Sequence, residues 1–121
     1  MIQVDTSVWI DHLRSPDAQL HRALDEGEVL MHPYVLGELA CGNLRKRDEI
    51  LDLLRQLPSA REATDDEALA LIDRRELMGR GIGYIDVHLL AAAALTPSAR
   101  LWTRDRRLAR VASDLGVGHP S

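Results

Sequence analysis

Four acidic residues stand at places in the sequence where solvated acids are unusual. Asp5 follows the apolar run MIQV, and Asp105 comes just after the run ARLWT. Glu38 lies inside YVLGELACG, and Asp86 lies inside GYIDVHLLAAA. Like charges that converge in a fold repel each other unless cations separate them. If these four residues meet, the sequence predicts a metal site.

The ligand type limits which metal such a site would hold. Carboxylate oxygens without a nearby set of Cys or His residues suit Mg²⁺ or Mn²⁺ rather than zinc. One or two such ions commonly bind substrate phosphates, activate a water molecule and neutralise charge in the transition state. The four acids therefore favour metal-dependent chemistry at a phosphate ester.

Three of the four acids also have a purely structural interpretation. Asp5, Asp86 and Asp105 lie at or near the starts of helical patterns, where a carboxylate stabilises the helix by about 0.5–1 kcal/mol. Glu38 lacks this alternative, because Pro33 places the start of its helix upstream. At 100° per residue, its angular neighbours are Tyr34, Val35, Cys41 and Gly42. This apolar arc predicts that Glu38 faces the core.

Strand and helix patterns alternate along the chain and would position the four acids. Apolar runs predict strands at 2–4, 28–32 and 99–103, with a weaker candidate at 60–64. Thr64 and Glu67 form a capping-box pattern at the start of one helix. Helical patterns cover 7–27 with a break at Pro16, and then 33–42, 46–57, 64–81, 85–95 and 105–116.

This alternation predicts a single α/β domain over residues 1–121. The expected architecture is a three-layer α/β/α sandwich with a mostly parallel central sheet. Such sheets bind ligands at the carboxyl ends of their strands. Asp5 ends one predicted strand and Asp105 follows another, so both should lie at the same edge of the sheet.

Composition indicates an ordinary globular domain. The 121 residues suffice for one core, with 45% hydrophobic and 28% charged residues. The single cysteine excludes an internal disulfide and fits a reducing cytosol. The start of the chain shows no signal-peptide pattern, and no apolar run reaches the roughly 20 residues of a membrane span. We therefore expect a cytoplasmic protein.

The net charge of −4 is unusual for a protein that binds nucleic acid, although the distribution of charge matters more than its sum. Lys46 is the only lysine, and arginines concentrate towards the C-terminus. This group comprises Arg100, Arg104, Arg106, Arg107 and Arg110. Guanidinium groups suit phosphate oxygens. The structural alternative is a solvated helix face.

Four segments, taken together, carry a resemblance to a known family. They are VDTSVWIDHL, YVLGELACG, GYIDVHLLAAA and LWTRDRRL. In this order and spacing the chain resembles the PIN-domain nucleases, specifically the VapC toxins of bacterial type II toxin–antitoxin systems. The similarity spans the whole chain and implies a PIN-like sandwich. It places the family's acids on Asp5, Glu38, Asp86 and Asp105, and its supporting hydroxyls on Thr6 and Thr103.

The resemblance implies a metal-dependent endoribonuclease. In such proteins, one or two Mg²⁺ or Mn²⁺ ions activate the water that hydrolyses an RNA phosphodiester bond. The corresponding RNA contacts would be Arg104, Arg106, Arg107 and Arg110. The implied partners are a second copy of the chain and a small antitoxin. An antitoxin helix would use a groove beside the early helices. The apolar residues there are Trp9, Ile10, Leu13, Leu20 and Leu24, whose structural alternative is packing on the sheet.

Other residues carry weaker predictions. The five histidines are scattered and are interpreted as packing or surface groups. They are His12, His21, His32, His88 and His119. His88 follows Asp86 by two residues, which on a helix separates them by about 160°. Ser7 and Asp11 are candidates for contacts behind the acids, and 65–66 are assigned to the first turn of a helix.

Three alternative functions fit the sequence less well than a nuclease. A phosphoryl-accepting receiver domain needs adjacent acids after its first strand and a lysine after its last, but Asp5 stands alone and Lys46 comes early. A haloacid-dehalogenase-type phosphatase needs Asp-x-Asp, and Ser7 occupies the second of those places. A catalytically inactive PIN-fold module that binds RNA or protein is the remaining alternative, and the four intact acids argue against it.

Overall fold

The computed structural model of the chain describes residues 1–120. Within them, short parallel strands alternate with helices, as the sequence predicts. The elements, in chain order, are β1 (Ile2–Val4), α1 (Thr6–Arg14), α2 (Ala18–Asp25), β2 (Val29–Leu30), α3 (Pro33–Cys41), α4 (Arg47–Arg55), α5 (Asp65–Arg75), α6 (Tyr84–Leu95), β3 (Arg100–Trp102) and α7 (Arg106–Asp114).

The three strands form one parallel sheet in the order β2-β1-β3. Ile2 pairs with Val29 on one side and with Arg100 on the other. The carboxyl ends of all three strands therefore point to one edge, and the helices flank the sheet. This arrangement confirms the predicted α/β sandwich with a parallel centre.

The weak strand candidate at 60–64 was wrong. Ser59 makes only an isolated bridge to Met31, and the residues that follow form no strand. Only Ala60 is buried in that segment. A strand of a parallel sheet is covered on both faces, and the polar sequence AREAT offers too little apolar surface for that.

The core is aliphatic and is built around β1, β3 and α6. Helix α6 is buried along 87–93, where small alanines let it pack closely against its neighbours. Gln3, at the centre of the sheet, donates a hydrogen bond from Nε2 to the carbonyl of Leu89 at 2.9 Å. Val4, Val8 and Leu101 pack into the same cluster. The first strand is thereby locked to the helix that carries Asp86.

The two ends of α5 differ in how well local sequence signals predict them. The amide of Glu67 donates to Thr64 Oγ1 at 3.1 Å, and the amide of Thr64 donates to Glu67 Oε1 at 2.9 Å, so the capping box is confirmed. The same helix was predicted to reach residue 81 but ends at Arg75. Glu76 adopts a left-handed conformation, with φ of 53°, which turns the chain so that Leu77 enters the core. Among residues 1–120, no helix has the length and apolarity that crossing a membrane requires.

Candidate active site

Asp5 lies at the carboxyl end of β1 and is held there by two hydroxyls. Its amide donates to the carbonyl of Trp102 at 2.9 Å, which places Asp5 beside the end of β3. Its Oδ2 accepts hydrogen bonds from Ser7 Oγ at 2.8 Å and Thr103 Oγ1 at 2.7 Å. The side chain is only 8% exposed. A buried carboxylate at a strand end is thus fixed in one orientation.

Asp105 lies at the same edge and caps α7. Its Oδ1 accepts hydrogen bonds from the amides of Arg107 at 2.9 Å and Leu108 at 3.1 Å. Its own amide donates to Thr103 Oγ1 at 3.1 Å. The hydroxyl of Thr103 therefore joins Asp5 to Asp105. Asp105 therefore has both of the roles that the sequence allowed, because it caps α7 and lies at the predicted edge of the sheet.

Asp86 is half-buried in the first turn of α6. Its Oδ2 accepts a hydrogen bond from the amide of Gly83 at 3.1 Å. Burial raises the pKa of the Asp86 carboxyl, the Gly83 hydrogen bond opposes that shift, and the charges of Asp5 and Asp105 raise the pKa further. These charges act on Asp86 only because the three carboxylates lie near one another. The contacts of Thr103 and this pKa shift place Asp5, Asp86 and Asp105 in one region at the carboxyl edge of the sheet.

Glu38 does not face the core, and that prediction was wrong. The side chain is exposed, whereas Val35 and Leu39 on the same helix are buried. The buried face of α3 is narrower than the apolar arc of its sequence, because α1 and α4 pack against it and still leave Tyr34 and Cys41 exposed. Glu38 Oε1 accepts a hydrogen bond from Thr6 Oγ1 at 3.0 Å. Thr6 follows Asp5 directly, so this hydrogen bond places Glu38 near the end of β1 that carries Asp5.

The four carboxylates share one pattern of hydrogen bonding. Each accepts hydrogen bonds on one oxygen, while the second oxygen has no hydrogen-bond donor within residues 1–120. The four second oxygens are Asp5 Oδ1, Glu38 Oε2, Asp86 Oδ1 and Asp105 Oδ2. Oxygen donors of this kind fit Mg²⁺ or Mn²⁺. Nevertheless, no three His, Cys, Asp or Glu side chains of the described chain are spaced to hold one metal ion. The site has the right donors but not a preformed coordination cage.

Comparison with known proteins identifies the family to which this site belongs. A model of the PIN-domain family matches residues 2–114. The chain belongs to the PIN-domain family. Two curated relatives named Ribonuclease VapC32, from Mycobacterium tuberculosis strains CDC 1551 / Oshkosh and ATCC 25618 / H37Rv, are each 50% identical to it over 117 residues. The alignment covers 97% of this chain and 94% of each relative. The resemblance to VapC proteins is confirmed.

The C-terminal arginines of this PIN domain differ in how they are engaged. Arg104 forms ion pairs with Asp11 and with Asp17, the latter at 2.7 Å. Asp11, predicted to lie behind the acids, therefore holds an arginine instead. Arg107 lies against Gly81, where an added Cβ would come within 2.6 Å of the Arg107 Cδ atom. Arg106 and Arg110 are exposed on α7 and form no ion pair within residues 1–120.

A groove runs beside Glu38 between α1, α3 and the segment before α4. Its volume is about 890 Å³, and Leu39 and Ile50 contribute apolar walls while basic groups line the rim. Of the five apolar residues predicted to form a groove, only Ile10 and Leu13 line this one. The other three pack inward, because they belong to or border the core: Trp9, Leu20 and Leu24.

Sequence reasoning missed a second cluster in the PIN domain, formed by Asp65, Tyr84 and His88. Tyr84 donates a hydrogen bond from its hydroxyl to Asp65 Oδ1 at 2.7 Å, and His88 Nε2 lies 3.0 Å from the same oxygen. The packing role predicted for His88 is borne out, since its side chain is 3% exposed. The spacing of four residues between Tyr84 and His88 was the available signal, because it places both on one face of α6.

Proposed function

We propose that this chain is a metal-dependent endoribonuclease of the VapC type, the toxin of a toxin–antitoxin pair. The observation that carries the proposal is that the hydroxyl of Thr103 holds Asp5 and Asp105 together at the carboxyl edge of the sheet, with Asp86 close enough for their charges to raise the pKa of its carboxyl. The relatives' printed name, Ribonuclease, supports RNA as the substrate. When bound at these carboxylates, one or two Mg²⁺ or Mn²⁺ ions would supply an activated water and neutralise charge on the phosphate.

Each acid would contribute in a way set by its surroundings. Asp5 has the most restrained side chain, because two hydroxyls donate to its Oδ2. Its Oδ1 would then be the oxygen that binds a metal ion. Asp105 is oriented by two backbone amides and presents Oδ2. Asp86 ionises less readily than an ordinary carboxyl, because it is half-buried beside two other acids. Glu38 is the most exposed of the set, and Thr6 restrains it. We assign Thr6 and Thr103 as positioning residues.

The RNA contact that we propose is centred on α7, which begins directly after Asp105. Arg106 and Arg110 are four residues apart and lie on one exposed face of the helix. The Arg107 side chain packs against Gly81 and would have to rotate away from it to contact RNA together with Arg106 and Arg110. Arg104 is the weakest member of the predicted set, because Asp11 and Asp17 already bind its guanidinium group.

We further propose that the groove beside Glu38 receives a helix of the cognate antitoxin. Apolar walls with a rim of Arg14, Arg45 and Lys46 suit an amphipathic helix that carries acidic residues. Such a helix would cover Glu38 and restrict access to the acids. We also expect a homodimer and a cytoplasmic location, which sedimentation of the purified chain and cell fractionation would test.

The deciding experiment measures cleavage of total RNA by the purified chain with Mg²⁺ or Mn²⁺ and with EDTA. We expect cleavage that requires metal and that falls at least about a hundredfold in Asp5→Asn. Asp52→Asn is the matched control, because Asp52 is an exposed acid paired only with Arg55 on α4. Sequencing of the new 5′ ends would identify the RNA. Cleavage that survives EDTA and Asp5→Asn would refute the proposal, and RNA binding without any cleavage would favour the inactive module.

A further inference from the structure

Two exposed tyrosines flank a buried histidine on the helices that also carry Glu38 and Asp86. The ring centroid of His88 lies 5.1 Å from that of Tyr34 and 4.7 Å from that of Tyr84. Both pairs meet edge to face, at 70° and 90°. His88 is 2% exposed, whereas Tyr34 is 41% and Tyr84 is 44% exposed. The three residues are called the tyrosine platform below.

Contacts with Asp65 hold two of the three platform residues in place. Asp65 Oδ1 accepts the hydroxyl hydrogen of Tyr84 and lies within hydrogen-bond distance of His88 Nε2. Tyr34 rests on both His88 and the buried His32, whose ring centroid is 5.0 Å away. Rings held in this way lose little conformational entropy when a flat ligand packs on them.

The position of the platform relates it to the acids. Tyr34 precedes Glu38 by one helical turn on α3, and residues at that spacing have Cβ atoms about 5–6 Å apart. Tyr84 precedes Asp86 by two residues in the first turn of α6, so the two residues are close along the helix axis although their side chains point about 160° apart around it. Both helices that carry platform residues therefore also carry an acid of the proposed site, one turn or less away.

We propose that Tyr34 and Tyr84 stack against unpaired bases of the RNA that flank the cleaved bond. The inference rests on the proposed ribonuclease function and adds two base-contacting residues to it. Every base has a flat π-face, so stacking on tyrosine binds single strands without demanding one sequence. Bases inside a duplex already stack on each other and are unavailable.

A second copy of the chain is a less suitable occupant. Tyr34, Tyr84 and the neighbouring Ile85 are each between 41% and 44% exposed. Together they offer roughly 250 Å² of surface, if side chains of this size have about 200 Å² each. A stable dimer buries about 800 Å² on each partner. The platform matches one or two nucleobases in area.

The test measures binding of a short oligoadenylate and of an abasic strand of equal length. All proteins carry Asp5→Asn, which prevents cleavage during titration. Tyr34→Leu removes the aromatic face but keeps apolar bulk, and Tyr34→Phe is the control that keeps the face. We expect Tyr34→Leu to weaken oligoadenylate binding about five- to hundredfold, with Tyr34→Phe near the parent and abasic binding the same in all three.

Thermal unfolding and sedimentation of each variant separate the outcomes. Equal oligoadenylate affinity in the Leu and Phe variants would overturn the platform, as would a loss of affinity that only follows dissociation of a dimer. Cleavage by the otherwise unchanged chain is measured in parallel. If the chain with Asp5 intact cleaves RNA but the Tyr34 variants bind oligoadenylate as tightly as their parent, the base-stacking proposal is refuted and the ribonuclease proposal is not. If it cleaves nothing while base stacking persists, the proposed function fails and the platform stands.

Discussion

The hydroxyl of Thr103 joins two of the four acids, and its removal tests how the site is held. Thr103 Oγ1 donates to Asp5 Oδ2 at 2.7 Å and accepts from the amide of Asp105 at 3.1 Å. Both Thr103 and Asp5 are buried. Thr103→Val keeps the shape of the side chain and deletes only the hydroxyl. Asp5 then retains Ser7 as its one donor on Oδ2.

The expected loss follows from the two bonds. A hydrogen bond to a charged group contributes about 1.5–3 kcal/mol, and a neutral one about 1 kcal/mol. Water that reaches the partly open site offsets some of this loss. We therefore expect Thr103→Val to lower the free energy of unfolding by about 2 kcal/mol. For a domain of this size, that corresponds to a decrease in Tm of about 8 °C.

Urea denaturation in EDTA measures the effect without bound metal. Thr6→Val is the matched control, because Thr6 loses one hydrogen bond to the exposed Glu38. Thr6→Val should lower the free energy of unfolding by less than about 0.5 kcal/mol. A double-mutant cycle with Asp5→Asn should give a coupling of about 1 kcal/mol between positions 5 and 103. If Thr103→Val lowers the free energy of unfolding no more than Thr6→Val does, the Thr103 hydroxyl does not hold Asp5 and our account of the site is wrong.

Three further predictions concern charge. Burial, with a smaller effect from His88, lowers the pKa of His32 from 6.5 to about 4. The unfolded chain then binds more protons, so the free energy of unfolding should fall by up to about 3 kcal/mol between pH 6.5 and pH 4. His32→Asn should flatten that decline in urea titrations, and an unchanged slope would contradict the assignment. Asp86→Asn keeps the oxygen that accepts the Gly83 hydrogen bond and removes the charge repulsion from Asp5 and Asp105. Burial and these neighbouring acids raise the pKa of the Asp86 carboxyl, so its charged form destabilises the fold. Asp86→Asn should therefore raise the free energy of unfolding of the metal-free chain at pH 7 but not at pH 3. Arg106→Gln with Arg110→Gln should reduce the salt dependence of RNA binding by about 1.4 in log–log slope, whereas Arg104→Gln should leave it unchanged.

The sheet edge could be predicted because it depends on local patterns and one general rule. Apolar runs marked the three strands, and parallel strands with intervening helices present their carboxyl ends together. Asp5 and Asp105 therefore had to share an edge, although they are 100 residues apart in the chain. The capping box at Thr64 was also readable, since both of its partners lie within one helical turn.

The features that sequence reasoning missed depend on long-range packing. The exposure of Glu38 depends on how much of α3 its neighbours cover, which a helical wheel does not contain. The pairing of Arg104 with Asp11 joins residues far apart in sequence. The platform required α3, α5 and α6 to bring Tyr34 and Asp65 to His88. No spacing within a single element shows any of these contacts.

The carboxylates of Asp86 and Asp105 bond to backbone amides at helix starts, whereas Asp5 occupies the N-cap position of α1 without a side-chain cap hydrogen bond. Asp5 and Asp105 precede α1 and α7, and Asp86 lies in the first turn of α6. In a parallel α/β fold, the helix after each strand begins at the carboxyl edge, so several positive helix ends meet there. Each offsets part of the repulsion between the carboxylates when no cation is present. Glu38 lies away from the start of its helix, and it is the member whose charge is left to solvent. The fold therefore tolerates the three inner acids because of where their helices begin.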